Sequence, residues 1–286
     1  MGWGTDGGTG EASLKRDKTE GRQGMPAFYA HYSFGQKVEA LLPDDLMSLV
    51  EKNRNLYEIG LHGPDILFFY HPLRRHSVGK QGVAIHHEKG SVFFEKAAKT
   101  IHEAGDREEM MAYAVGAVCH LALDAACHPF IERYVKQSGI SHHEIEKELE
   151  KYLMYRDGLD PFHFRFEKYA ATEMTCAKAI APFYDLTPVQ IKQCLESFVW
   201  YSRQFFTSDR LKRAVYFAGM RIVGCYGEVR GFFANKRDNE LCAISSRYLE
   251  QQLEENVPVA VSMIEDFDRF CQTGSPLSAW FDRSFS

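Results

Sequence analysis

The sequence predicts an all-α fold, a multi-helix bundle with a metal cluster in a cleft between helices. Apolar residues recur at spacings of three and four through most of the chain, which is the period of an amphipathic helix. In one such segment, 107–128, the side chains of His120, Asp124 and His128 follow one another at intervals of four within an otherwise apolar run. Strands are poorly supported, because only the short segment 162–166 alternates between apolar and polar residues.

The helical period divides the chain into segments that begin and end at turn residues. The predicted helices are 38–53, 92–104, 107–128, 142–154, 171–184, 187–206, 209–223 and 240–270. Clusters of Gly, Pro, Ser and Asn predict breaks at 63–64, 77–82, 158–161 and 231–239. Thr187 and Pro188 are typical of a helix start, with Thr as the cap and Pro at the first helical position. Pro129 is expected to end its helix at His128, since the residue before a proline is biased away from helical backbone angles.

The row of His120, Asp124 and His128 is the strongest functional signal in the chain. Residues four apart on a helix lie on one face, with Cβ atoms roughly 5–6 Å apart. Buried polar groups cost free energy unless they are paired or coordinated, and a mixed set of imidazoles and carboxylates suits zinc. His142 and Glu146 repeat the same spacing downstream. These patterns predict that the protein binds zinc.

The spacing also predicts more than one ion. From His120 to His128 an ideal helix rises about 12 Å and rotates by about 80°. One ion cannot bind both side chains at ~2 Å, so they serve different sites. Asp124, midway between them, is placed to bridge two ions. His142 and Glu146 are the nearest pair that could complete the site of His128.

Further candidate ligands lie upstream of this helix. They are His31, Asp65 directly after Gly63-Pro64, and the doublet His86-His87. The chain holds 12 histidines, and at least seven fall in these clusters or in the two helical rows. So many histidines beside carboxylates predict a multinuclear site, because a single structural zinc ion needs only four ligands.

Taken together, the motifs resemble those of the zinc-dependent phospholipases C, whose wider superfamily includes the zinc-dependent single-strand nucleases of the P1 type. The resemblance covers residues 25 to about 150 and is carried, in the family's order, by PAFYAHYSFG, GLHGPDILFFYHP, GVAIHHEKG, HLALDAACHPF and SHHEIEKELE. It implies an all-helical domain with two or three Zn²⁺ ions in a cleft. It also implies hydrolysis of a phosphodiester by metal-activated water.

The resemblance assigns a role to each candidate residue. The metal ligands that it implies are His31, Asp65, His86, His120, Asp124, His128, His142 and Glu146. His86, preferred over His87 because an apolar residue precedes it, would ligate one ion together with His120. Asp124 would bridge that ion to a second one, held partly by His31. His128, His142 and Glu146 would hold the remaining ion. Asp65 would be the catalytic general base or an additional ligand.

Two departures from the family pattern limit what the resemblance implies. Secreted members use a free N-terminal Trp as a zinc ligand, whereas here Trp3 is far from His31 in sequence and follows no cleavage site. The sequence therefore leaves open whether a third zinc site exists. Those enzymes also place an aromatic residue after the catalytic Asp to cradle choline, whereas Ile66 follows Asp65. The substrate head group, choline included, is not implied.

Composition and length predict the surroundings of the site. The net charge of −5 indicates no electrostatic recruitment to nucleic acid or anionic lipid. No uninterrupted apolar run reaches about 18 residues, so no transmembrane segment is expected. The seven cysteines contain no C-x-x-C pair and fit a reduced, cytoplasmic setting. The expected partner is a small-molecule or lipid phosphodiester, without nucleic acid, and the oligomeric state is left open.

Three regions are predicted along the chain. Residues 1–24 hold seven glycines and many charges without the apolar core of a signal peptide, and they predict a disordered N-terminal extension with Met25 as a candidate initiator. Residues 25–155 form the metal-binding helical region. Residues 156–286 add helices that pack on the same domain or form a helical lobe.

The sequence thus predicts a zinc-dependent phosphodiester hydrolase that resembles phospholipase C. Two alternatives belong to other classes: a P1-type nuclease-like phosphoesterase, and a non-catalytic, metal-stabilised helical interaction protein. A further helical metal-dependent class, the phosphohydrolases defined by a His-Asp doublet, is excluded because no such dipeptide occurs.

Overall fold

The computed structural model describes residues 27–72, 74 and 76–286, apart from the side chain of Glu228. Within these residues the chain is mainly helical and contains no strand, which confirms the predicted all-α fold. Its twelve α-helices are α1 (Phe28–Glu39), α2 (Asp44–Lys52), α3 (Arg54–Gly60), α4 (Ser77–His87), α5 (Gly90–Glu103), α6 (Arg107–Ser138), α7 (His142–Arg156), α8 (Met174–Ile180), α9 (Pro188–Phe205), α10 (Arg210–Ile222), α11 (Tyr226–Val229) and α12 (Cys242–Thr273). Short 3₁₀ helices lie at Gly63–Phe69, Phe166–Lys168, Ala181–Tyr184, Arg230–Phe232 and Ala279–Asp282.

Helix α6 is the centre of the bundle. It is 32 residues long, and its residues from Met110 to Asp124 are all buried, so this part of the helix is enclosed on every side, as expected in the middle of a core. Helices α1, α3, α5, α7 and α12 pack around it. By length and composition α6 could span a membrane, but 89% of its most apolar window is buried inside the protein, and a core helix passes the same test.

The contact between α3 and α6 depends on two glycines. A Cβ atom at Gly116 would lie 2.3 Å from the carbonyl oxygen of Tyr57, and one at Gly60 would lie 2.2 Å from that of Tyr113. The two backbones can therefore approach only because neither residue has a side chain. This contact also positions Leu61, which directly follows α3. The carbonyl of Leu61 bonds His120, which lies one turn after Gly116 on α6.

Three predicted boundaries are wrong. Helix α6 continues through Pro129 to Ser138, because Ile131 and its neighbours still pack in the core and this outweighs the one hydrogen bond that proline removes. The predicted break at 77–82 is the start of α4, where His76 Nδ1 accepts a hydrogen bond from the amide of Gly79 and caps the helix. The predicted helix 38–53 is two helices, since Pro43 begins α2.

The domain bounds remain predictions. Residues 1–24 lie outside the described residues. Of the helices after residue 156, α9 packs on the 3₁₀ helix Gly63–Phe69, and α12 packs on α1, α6 and α7. The helices of the second predicted region therefore contact those of the first.

The glycine contact yields a prediction for stability. Gly116→Ala should lower the free energy of unfolding by ~1–3 kcal/mol or more, because the new methyl group meets backbone that cannot move aside. Urea unfolding of the two proteins measures the difference. Gly219→Ala is the matched control: it lies in α10 with no atom within 4 Å of the new Cβ and should leave stability unchanged or raise it by up to about 1 kcal/mol. Equal stability of Gly116→Ala and the parent protein would contradict the close helix contact.

Candidate metal centre

All eight predicted ligand residues converge along one side of α6. Helix α6 supplies three of them at helical spacing, α7 supplies two, and α1, α4 and the 3₁₀ helix Gly63–Phe69 supply one each. The residues that meet are His31, Asp65, His86, His120, Asp124, His128, His142 and Glu146. His87, the alternative to His86, points away and is exposed.

The side chains form three adjoining groups, and in each the possible ligand atoms lie within 4.8 Å of one another. The groups are Asp65, His86 and His120; His31, His120 and Asp124; and His128, His142 and Glu146. The first two groups share the imidazole of His120. As the spacing predicted, the two ends of the row on α6 fall in different groups.

Asp124 links these groups through both of its carboxylate oxygens. Its Oδ2 lies 3.2 Å from His120 Nε2, and its Oδ1 lies 3.4 Å from His31 Nε2 and 3.8 Å from His128 Nε2. The carboxylate is buried and thus faces three imidazoles on two helices. It occupies the position that a bridging ligand needs.

These separations suit ligands of a common ion. Two ligands of a tetrahedral zinc ion, with bonds of ~2.0–2.1 Å, are about 3.3 Å apart. A cavity of about 20 Å³ lies between His31, Asp124, His128 and Glu146, and this volume is enough for roughly one water-sized particle. The donor set and its spacing therefore fit zinc.

His120 shows the fit most clearly. Its Nδ1 lies 3.1 Å from the carbonyl oxygen of Leu61, and because a carbonyl only accepts, Nδ1 carries the proton. Its Nε2 is thereby left as a lone pair, buried and without a hydrogen-bond partner among the described residues. Burial lowers the pKa of His120 to about 4, so the imidazole is neutral at neutral pH. A neutral, oriented, unpartnered imidazole nitrogen is what a metal ligand requires.

His86 and Asp65 form the outer part of the first group. His86 Nδ1–H donates to the carbonyl of Gly82 at 2.7 Å, and this fixes Nε2 toward Asp65 Oδ1 at 2.8 Å. The second oxygen of Asp65 lies 3.7 Å from His120 Nε2. Burial alone would lower the pKa of His86, but the carboxylate of Asp65 more than offsets this and raises it. A metal ion held by this pair would take the place of the proton that the two side chains share.

The third group is the most exposed part of the centre. His142 Nε2 lies 2.9 Å from Glu146 Oε1, and the His142 side chain is 32% exposed. Burial would lower the pKa of His128, but the negative charges of Asp124 and Glu146 raise it to about 9. Burial would also raise the pKa of Glu146, yet the neighbouring histidines hold it well below its usual value. The two shifts are complementary, because the carboxylates favour the charged imidazolium and the histidines favour the charged carboxylate.

Two residues beside the centre were missed by sequence reasoning. His62 is fully buried between Phe28 and Phe198, and neither of its ring nitrogens has a partner among the described residues. It directly precedes the Gly-Pro-Asp motif, and this position in the sequence could have indicated that it lies near the centre. Phe285 lies against His120 and His86, with ring centroids 5.6 and 5.7 Å apart, and no local pattern marks it.

The fold and the site define an all-helical protein with a cluster of three histidine and carboxylate groups suited to zinc. The family model for zinc-dependent phospholipase C matches residues 30–199, more than half of the chain. The chain belongs to the zinc-dependent phospholipase C family, as its motifs indicated. The match reaches into α9, well beyond the last motif near residue 150. Comparison with curated proteins and with solved structures found no match.

The geometry predicts how zinc content depends on Asp124. Purified protein should carry at least two zinc equivalents, and Asp124→Ala should lose two together, because both oxygens of this carboxylate face possible ligands. His31→Ala should lose no more than one equivalent. Elemental analysis of the purified proteins measures both, with exposed His87→Ala as the control that keeps full content. One ion or none in the unsubstituted protein would contradict a multinuclear centre.

Proposed function

We propose that the protein is a zinc-dependent phosphodiester hydrolase that cleaves a phospholipid or a related phosphodiester. Membership of the phospholipase C family supports a phospholipase-like hydrolase. The observation that carries the finer proposal is the position of Asp65, a buried carboxylate at the edge of the first group with one oxygen toward each of two imidazoles. A purely structural zinc site does not need this extra carboxylate.

The residues of the centre would hold zinc while leaving one side open to substrate. Bound zinc supplies positive charge that stabilises the charge developing on a phosphodiester and lowers the pKa of water. The imidazoles of His120 and His86 are oriented by backbone carbonyls, so little reorganisation is needed on binding. The half-exposed side chain of His142 marks the side from which substrate would approach.

Asp65 is proposed to take the proton of the attacking water, or to orient it, while contributing to the first group. An aspartate that only stabilised the turn would accept a hydrogen bond from a backbone amide. Among the described residues, the carboxylate of Asp65 instead bonds the imidazole of His86. The non-catalytic alternative would be favoured if Asp65 were buried against Arg or Lys. Among the described residues the side chains that face its carboxylate are the imidazoles of His86 and His120 instead.

The wall next to the centre favours a lipid over a nucleotide. Apart from His31, Asp124, His128 and Glu146, the cavity in the centre is lined by aliphatic side chains, alanines and a cysteine. Recognition of single-stranded nucleic acid relies on aromatic rings that stack on bases. The P1-type nuclease-like alternative therefore has less support at this wall.

The proposed setting is cytoplasmic. All seven cysteines lie in the described residues and all are free, six of them buried. Free, buried thiols are typical of proteins in a reducing compartment.

Asp65→Asn tests the catalytic proposal, because it keeps the shape of the side chain and removes its charge and proton acceptor. Turnover of bis(p-nitrophenyl) phosphate should fall by ~10²–10⁴, the range for losing a positioned general base. Zinc content should fall by no more than one equivalent. The same assay with p-nitrophenylphosphorylcholine shows whether the enzyme prefers a choline head group.

The matched control is Asp45→Asn, an exposed aspartate at the start of α2, which should leave turnover unchanged. If Asp65→Asn were as active as the parent protein, Asp65 would have no part in the mechanism. If the parent protein, loaded with zinc, turned over neither substrate nor a phospholipid, the hydrolase proposal would be wrong.

A further inference from the structure

Helix α10 (Arg210–Ile222) carries a row of large apolar side chains that none of the described residues covers. The helix has no buried residue. Leu211, Val215 and Ile222 are 75%, 61% and 86% exposed, and Ala218 between them is exposed as well. Isolated exposed apolar residues are ordinary, but a continuous row on one helix marks an interaction surface.

The row lies on one face of α10 and the protein contacts lie on the other. At about 100° per residue, the four apolar side chains fall within a sector of roughly 60°. The opposite face carries Tyr216 and Phe217, which pack on Gln204 and Phe233. The helix is thus held to the protein by one face and presents the other to solvent.

Basic side chains flank the apolar row. The helix contains four basic residues and no acidic one. Arg213 lies on the inner face, where it binds the carbonyl of Ala234 and the side chain of Asn235. The other three, Arg210, Lys212 and Arg221, lie roughly 80–100° to either side of the row. None of these three pairs with a carboxylate among the side chains that the structure describes.

Two of the basic residues, Arg210 and Lys212, are not explained by the stability of the helix. Arg221 lies in the last turn, where a cation is favourable, and its guanidinium lies over the ring of Tyr226. Cations near a helix N-terminus oppose the helix dipole, and Arg210 and Lys212 lie in the first turn. Asp209 already caps that turn by accepting from the amides of Leu211 and Lys212. An apolar row between flanking cations is the pattern of a helix that lies in the interface of an anionic bilayer, with its basic side chains reaching the head groups.

We propose that α10 docks the protein on an anionic phospholipid membrane, with Leu211, Val215 and Ile222 inserted among the lipids. The net charge of −5 gave no reason to expect binding to anionic lipid, but charge complementarity here is local to one helix face. The inference deepens the proposed function, on which it rests for the view that the membrane lipid is also the substrate. Docking itself requires no catalysis.

A short chain of contacts joins this helix to the open side of the metal centre. Helix α10 packs on α11, which packs on the 3₁₀ helix Arg230–Phe232, and this in turn packs on α7. There the ring of Phe232 lies 3.9 Å from that of His143. His143 adjoins His142 in the first turn of α7. A series of packing contacts therefore runs from α10 to the turn that carries His142, the most exposed ligand residue.

Vesicle binding by the full-length protein tests the proposal. The parent protein should co-sediment with vesicles of phosphatidylcholine containing about 30% phosphatidylglycerol, at least tenfold more tightly than with phosphatidylcholine alone. Binding should weaken when salt is raised from about 0.1 M to about 0.5 M. The double variants Leu211→Ser/Ile222→Ser and Arg210→Glu/Lys212→Glu should each bind at least tenfold more weakly. A parallel series in the Asp65→Asn protein excludes an effect of lipid turnover.

The controls are Leu41→Ser and Lys99→Glu, which change exposed residues on other parts of the surface and should bind as the parent protein does. The surface variants made in the parent protein should keep its melting temperature and its turnover of bis(p-nitrophenyl) phosphate, because the substituted residues are exposed and outside the metal centre. Vesicle binding without any phosphodiester turnover would support docking and refute only the proposed function. Undiminished vesicle binding by both double variants, or dimers formed through the row without vesicle binding, would overturn the proposal.

Discussion

The structure depends on one buried carboxylate, that of Asp124, and on the imidazoles that surround it. Burial of a carboxylate would normally raise its pKa, but the neighbouring imidazoles of His120, His128 and His31 hold the pKa of Asp124 well below its usual value. A buried charge of this kind is costly unless its partners are fixed in place. The bundle fixes them by packing α1 and α7 against α6, so that the fold and the centre stabilise each other.

The features of the centre that could be predicted are those encoded locally. The spacing of His120, Asp124 and His128 determines their common face and their division between ions, because helix geometry alone relates them. His142 and Glu146 follow from the same rule. Pairs at this spacing can be identified from the sequence without knowing how the helices pack.

The features that escaped prediction depend on tertiary packing. His62 and Phe285 reach the centre only because distant segments pack against α6. The continuation of α6 past Pro129 was missed for a similar reason: a local backbone preference was outweighed by core packing around Ile131. The close approach at Gly116, which positions His120, likewise has no signature beyond a glycine within an apolar helix.

Under the proposed function, the metal centre and helix α10 would have different roles. The centre concentrates carboxylates and imidazoles that could hold zinc, and bound zinc would give a protein of net charge −5 a means of binding an anionic phosphodiester. Helix α10 instead combines exposed apolar and basic side chains, which suit the lipid surface and not the reaction. The two proposals thus place attachment to lipid and chemistry on different residues, so that substitutions should remove either one without the other.

The central claim is that Asp124 joins two ions within one cluster. Anomalous diffraction at the zinc absorption edge, from crystals of the purified protein, tests it most directly. We expect at least two zinc peaks, each about 2.0–2.2 Å from its ligand atoms, with one peak near each oxygen of Asp124. A single peak, or peaks only at residues outside the eight ligands, would contradict the account.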